Sequence, residues 1–159
     1  MTELRQSEVD KLYRDEILTT DLTSNLIVLP GIVQKTPANI LVDSGASRNF
    51  ISENFLTKLN VEINKNSSTY VRMADGRIRA GDGTVTKLYY HIGAYTARSD
   101  FVITKLHSEY QLILGKPWLT RMQPQIDWEK NILRIKVKNR LIKLKGLTKP
   151  EQRKRIACS

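Results

Sequence analysis

Cysteine and histidine are nearly missing from this chain, and their scarcity removes several chemistries at once. The one cysteine, Cys158, is the penultimate residue; it can close no internal disulfide and offers no cluster for structural zinc. His91 and His107 are the only histidines. Neither has a second ligand at metal spacing or a serine partner for a hydrolytic triad, so both read as ordinary strand and surface residues. No apolar run approaches the roughly 18 residues that span a membrane. The opening stretch "MTELRQSEVDKLYRDE" is too charged for a secretory signal, so a soluble, intracellular protein is expected. Acidic residues are scarce in one region alone. Residues 130–159 hold 11 Lys and Arg against Glu151, whereas residues 1–129 hold 15 of each sign, so the whole formal charge of +10 lies in the last thirty residues. A basic arm on a neutral body points to a polyanion contact or a solvated edge, not to a fold built around nucleic acid.

What is present reads mostly as strand. A length of 159 residues with 40 % hydrophobic content suits one core and one domain. Short β-rich runs, "NLIVLPGIV" (25–33), "ANILVD" (38–43), "STYVRM" (68–73), "TVTKLYYHI" (84–92) and "YTARSDFVIT" (95–104), are broken by Pro30-Gly31, Pro37, Asp75-Gly76, Asp82-Gly83 and Gly93. Two short helices are expected. One is "ENFLTKL" after Ser52, with Phe55, Leu56 and Leu59 on one face; the other is "KPWLTRM" after Gly115, with Pro117 in its first turn. "NILRIKVKNRLIKLK" (131–145) alternates Leu133, Ile135 and Val137 with Arg134, Lys136 and Lys138, which predicts a strand with one wet face, turned into a hairpin at Asn139-Arg140. Residues 1–22 form a polar extension, 23–145 the folded domain and 146–159 a basic tail, both ends being expected to lie outside the packed body.

One stretch raises a chemical question. In "ILVDSGASRNFIS" (40–52), Asp43 leaves an apolar strand and enters a turn of the smallest residues, Ser44, Gly45 and Ala46. A carboxylate at the mouth of a buried strand is costly unless hydrogen-bonded or used. A tight loop lets backbone N–H groups and the neighbouring hydroxyl hold it, while Gly45 allows close approach. Such a group can act as general base on water, but peptide hydrolysis also needs an acid. Asp75 and Asp82 each precede a glycine in polar, turn-like surroundings, and neither ends an apolar strand. The chain has one such loop, and an Asx-turn that merely ends a strand is the competing explanation.

With these elements placed, the sequence resembles the retropepsin-like aspartic proteases, and most closely the protease region of gypsy-class LTR retrotransposon Pol polyproteins. The residues that carry the resemblance are "LVDSGAS" (41–47), "NFIS" (49–52), "VRMADG" (71–76), "YQLILGKPWL" (110–119) and "PQIDWEKNILRI" (124–135). The resemblance implies a mostly β, closed retropepsin-like barrel, one lobe per chain. Asp43 would be the catalytic aspartate, Ser44, Gly45 and Ala46 its supporting loop, and Ile113, Leu114 and Gly115 the strand end packed beside that loop. A flap hairpin over the cleft would comprise Met73, Ala74, Asp75, Gly76 and Arg77. The missing acid would be a second Asp43 across a homodimer axis. Two such carboxyls share one proton, so that the ionised member activates water and the protonated one polarises the peptide carbonyl. No metal or cofactor enters this scheme. The implied substrate is a polypeptide, such as the retroelement polyprotein itself, and the implied setting is the cytoplasm or a virus-like particle. Trp118 and Trp128 read as core and interface packing. The hairpin 131–145 is expected near the dimer contact, so that charges at Leu133 and Ile135 would yield a monomer. The alternative is a non-proteolytic dimerisation or nucleic-acid-binding module whose basic arm is the working surface.

Overall fold

The computed structural model describes residues 26–65, 70–72, 78–80, 83–106 and 109–157. Strands β1 (Ile27–Val33) and β2 (Thr36–Val42) form an antiparallel hairpin with Val33 opposite Thr36. Its two-residue turn puts Gln34 and Lys35 at φ 49° and 67°, a conformation that ordinary side chains adopt reluctantly. The Gln34 side chain compensates: it donates to Asn60 O at 2.9 Å and accepts from Asn60 N at 2.7 Å.

The remaining strands of the barrel are β3 (Phe50–Ser52), β6 (Thr84–Ile92), β7 (Tyr95–Thr104) and β8 (Leu112–Leu114). Their order is β1-β2-β8-β3-β7-β6, closed by Ile32 of β1 opposite His91 of β6. The fold is mostly β and closed, as the sequence predicts. Strand β2 runs parallel to β8 and is buried on both faces, which explains its unbroken apolar run. Ala38 and Ile40 point into the main core with Leu112 and Leu114, while Leu41 and Ile113 join Val28, Ala46, Phe50 and Val102 in a second cluster.

Helix α1 (Glu53–Leu56) buries Phe55 and Leu56, and α2 (Lys116–Met122) buries Trp118. The Trp118 indole donates to the Tyr95 hydroxyl at 3.0 Å, and edge-to-face contacts continue from Tyr95 to Tyr90 and Phe101. This aromatic chain fixes α2 against β6 and β7, adding specific geometry to the area buried. Burial, reinforced by the neighbouring Tyr95, pushes the Tyr90 hydroxyl's pKa well above its ordinary value. Strands β4 (Tyr70–Arg72) and β5 (Ile78–Ala80) pair with each other in a separate hairpin.

A three-stranded sheet, β11-β10-β9, is formed by β9 (Gln125–Asp127), β10 (Ile132–Val137) and β11 (Arg140–Lys145). The hairpin turn lies at Lys138-Asn139, one residue earlier than the sequence suggests. Val137 faces Arg140, and both turn residues have positive φ, 47° and 63°, the pattern of a type I′ turn in which Asn is favoured. Leu133 and Ile135, expected at a dimer contact, are instead 0 % and 1 % exposed and belong to the core of the single subunit, with Leu144 beside them. A charge at either position would break that core before it could report on pairing. The side chains left outside are Trp128, 60 % exposed, and Leu141, 68 % exposed.

The basic tail is not a free arm. Residues Lys149–Ala157 form α3, a further helix among the described residues. Thr148 and Glu151 cap it reciprocally: Thr148 N donates to Glu151 Oε1 at 3.0 Å, and Glu151 N to Thr148 Oγ1 at 3.4 Å. The Thr148 backbone N–H, with help from the Thr148 hydroxyl, holds the Glu151 carboxyl below its usual pKa. The helix is docked by polar contacts. Asn39, fully buried in β2, donates through Nδ2 to Gln152 O at 3.1 Å, and Arg155 Nη2 donates to Gly31 O at 2.7 Å. Leu147 N adds a bond to Val28 O. Residues 147–159 therefore cannot be removed without stripping partners from β1 and β2: Val28 O and Gly31 O lose these donors, and the buried Asn39 amide is left with one of its two acceptors, Glu109 O. None of the described helices is long and apolar enough to cross a membrane.

Candidate active site

The parallel pairing of β2 with β8 brings two chain ends together, with Val42 opposite Leu114. Asp43 is the next residue, and its N–H continues the ladder to Leu114 O at 3.0 Å. The chain then turns sharply. Gly45 N donates to Asp43 Oδ1 at 2.8 Å, and Ala46 N donates to Asp43 O at 3.2 Å. The backbone thus grips the carboxylate from its own loop, which limits its motion and orients its oxygens. Asp43 is half-buried, Ser44 and Gly45 are exposed, and Ala46 is buried in the second apolar cluster, so the loop is anchored behind and open in front.

Gly115, the next residue after β8, completes the lacing. Its N–H donates to Asn49 Oδ1 at 2.8 Å, and the following N–H, of Lys116, donates to Ala46 O at 2.8 Å. A Cβ on Gly115 would sit 2.6 Å from Ala46 O and closer still to Arg48 O. Only a glycine permits this approach. Asp43, Ser44, Gly45 and Ala46 are thus brought together with Ile113, Leu114 and Gly115. The sequence marks Asn49 only as the first residue of "NFIS" and gives it no role. Its amide belongs to the site because it satisfies a backbone donor that no strand partner reaches.

The proposed flap residues Met73, Ala74, Asp75, Gly76 and Arg77 lie outside the described residues, as do Asp82 and His107. The strands that bracket 73–77 are described, and they pair antiparallel with Arg72 opposite Ile78. His91 is exposed on β6, with Nδ1 2.9 Å from Thr96 Oγ1. Among the described residues no three His, Cys, Asp or Glu side chains cluster as metal ligands would.

A family model described as the PEG10/RTL1 protease domain matches residues 39–140, well over half of the chain, from β2 through the start of β11. No curated protein matches significantly. Among solved structures, the retroviral protease-like domain of Ddi1 from Leishmania major superposes with a TM-score of 0.60 at 17 % identity, covering 79 % of this chain and 96 % of that one. At that identity the likeness concerns the fold: a retropepsin-like barrel. With the Asp43 loop laced to the end of β8 inside that barrel and the match running through both segments, the chain belongs to the PEG10/RTL1 protease domain family, a retropepsin-like family.

Proposed function

We propose that the protein is an aspartic endopeptidase, active as a homodimer, that hydrolyses a polypeptide such as the retroelement polyprotein in which domains of this kind reside. The observation that carries this reading is the single half-buried Asp43, with one carboxylate oxygen held by Gly45 N and the loop sutured to Gly115 and Lys116. One such loop supplies a base but no acid. A two-fold axis through the site supplies the second carboxyl from a second copy. The ionised Asp43 takes a proton from water as the oxygen attacks the peptide carbonyl. The protonated Asp43 donates to the carbonyl oxygen, and the resulting tetrahedral intermediate collapses with proton transfer to the leaving amine.

The dimer contact is carried by the outer surface of the β9–β10–β11 sheet. There β9 forms the edge and Trp128 and Leu141 stand exposed, an arrangement open to strand addition by a partner. The test is turnover of an unstructured polypeptide by purified protein across a dilution series. Specific activity should fall with dilution in step with dissociation measured by sedimentation. Cleavage whose specific rate stays constant as the protein becomes monomeric would remove the shared-site mechanism.

A second role is favoured by charge placement. Arg140, Lys143 and Lys145 of β11 and Arg153 and Lys154 of α3 are all exposed, with Glu151 the one acid after residue 129. In a chain not paired through the β9–β10–β11 sheet, these cations contact nucleic acid through phosphates. Retention of a single-stranded RNA should weaken steeply as salt rises, and should fall further in an Arg140→Gln, Lys143→Gln, Lys145→Gln protein. Salt-independent retention would count against it.

A further inference from the structure

A cleft of about 550 Å³ opens beside the catalytic loop, walled by the segment just after it, by β6 and β7, and by α2. Its charged lining is Arg48, Arg98 and Arg121 against Asp100, with hydroxyls from Ser47, Thr84 and Ser99 between them. Asp100 is already committed: its Oδ1 accepts from Lys87 N at 2.8 Å, at the bulge where β6 slips register between Val85 and Leu88. Arg98 is steadied from behind. Its guanidinium carbon lies 5.5 Å from the centroid of the Tyr89 ring, and Nη1 reaches the Tyr89 hydroxyl at 3.4 Å. Stacking uses one face of the planar fork, leaving further N–H donors for an acceptor. Arg121 projects from the last turn of α2, the helix that Gly115 precedes as N-cap and that is therefore tied to the Asp43 loop.

We propose that this cleft binds acidic side chains of the polypeptide substrate, so that the enzyme selects peptide bonds flanked by Glu or Asp a few residues away. The inference rests on the protease reading for its location and on charge for its chemistry. Ser47 follows Asp43 by four residues, so that wall lies within ~15 Å of the catalytic carboxylate, since consecutive Cα atoms are about 3.8 Å apart. An extended peptide advances ~3.3 Å per residue. A side chain within about five positions of the scissile bond therefore reaches that wall of the cleft, and two-fold symmetry repeats the cleft on the other flank. Arginine forks match carboxylates in a bidentate manner.

The test uses the Asp43→Asn protein, which holds peptide without cutting it, and a fluorescein-labelled twelve-residue peptide with Glu at both ends beside its Gln-for-Glu twin. Anisotropy should show the acidic peptide bound about tenfold more tightly, as charge-assisted hydrogen bonds predict. Arg98→Gln combined with Arg121→Gln should erase that preference. Lys58→Gln combined with Lys136→Gln, an equal charge change at exposed positions elsewhere, should keep it. Equal binding of the two peptides, or equal loss in both double variants, would overturn the cleft. So would single-stranded RNA that binds more tightly than the acidic peptide and is lost with Arg98 and Arg121. The protease reading is scored separately with wild-type protein: no cleavage of either peptide, with the binding preference intact, defeats that reading and leaves the cleft standing.

Discussion

Replacing Asp43 by asparagine is expected to leave a folded dimer with no measurable peptidase activity. The amide keeps an oxygen where Asp43 Oδ1 accepts from Gly45 N at 2.8 Å, so the loop retains its shape. What disappears is the proton chemistry. General acid–base participation contributes up to about ten-thousandfold, and the two copies act as one unit, so kcat/KM should fall by at least about a thousandfold. A hybrid dimer with a single Asp43→Asn subunit should be nearly as inactive, because the surviving carboxyl cannot be base and acid at the same moment. The measurements are kcat/KM on a cleavable peptide and circular dichroism of the same preparation. Substantial cleavage by the pure variant would refute the mechanism and favour the binding-module alternative.

Gly115→Ala should act through geometry. Gly115 has φ −97°, which any residue adopts, so the obstacle is not backbone conformation. The obstacle is the added methyl, 2.6 Å from Ala46 O and closer to Arg48 O, both of them backbone atoms without a rotamer to escape into. Relieving the clash must part β8 from the Asp43 loop, loosening the bonds from Gly115 N to Asn49 Oδ1 and from Lys116 N to Ala46 O. Overpacking costs roughly 1–3 kcal/mol and each weakened hydrogen bond about 1 kcal/mol. A melting point lower by about 10 °C is expected for a chain of this size. Activity should fall even well below that melting point, because Asp43 moves with its loop. Thermal unfolding and peptidase assays at low temperature separate the two effects. A variant with wild-type stability and turnover would show that the loop is held by something other than this contact.

Much of the architecture could be read locally. "TVTKLYYHI" and "YTARSDFVIT" are β6 and β7 residue for residue, because strand runs and the turns between them depend on neighbours a few positions apart. The loop after "ILV" was legible for the same reason: an acid leaving an apolar strand into Ser-Gly is a local anomaly. Even the α3 cap was written in "TKPE", Thr148 to Glu151, but its weight was hidden by the surrounding lysines and arginines.

The sequence by itself therefore determined most of the barrel strands, the Asp43 loop and the family. Tertiary structure decided what depends on distant partners. The gap closed by Gly115 exists only because Val42 meets Leu114. Asn39 and Gln152, 113 residues apart, reveal their match only when α3 lies on β2 and turns a basic tail into part of the body. Leu133 and Ile135 read from the alternation only as one apolar face, and the folded chain shows that face joining the main core of its own subunit with Leu144. Arg98 and Arg121 were two charges among many until β7 and α2 set them around one cleft beside Asp43's loop. Periodicity reports which face of a segment avoids water; it carries no information on which remote surface will cover that face, and that choice belongs to the packed chain as a whole.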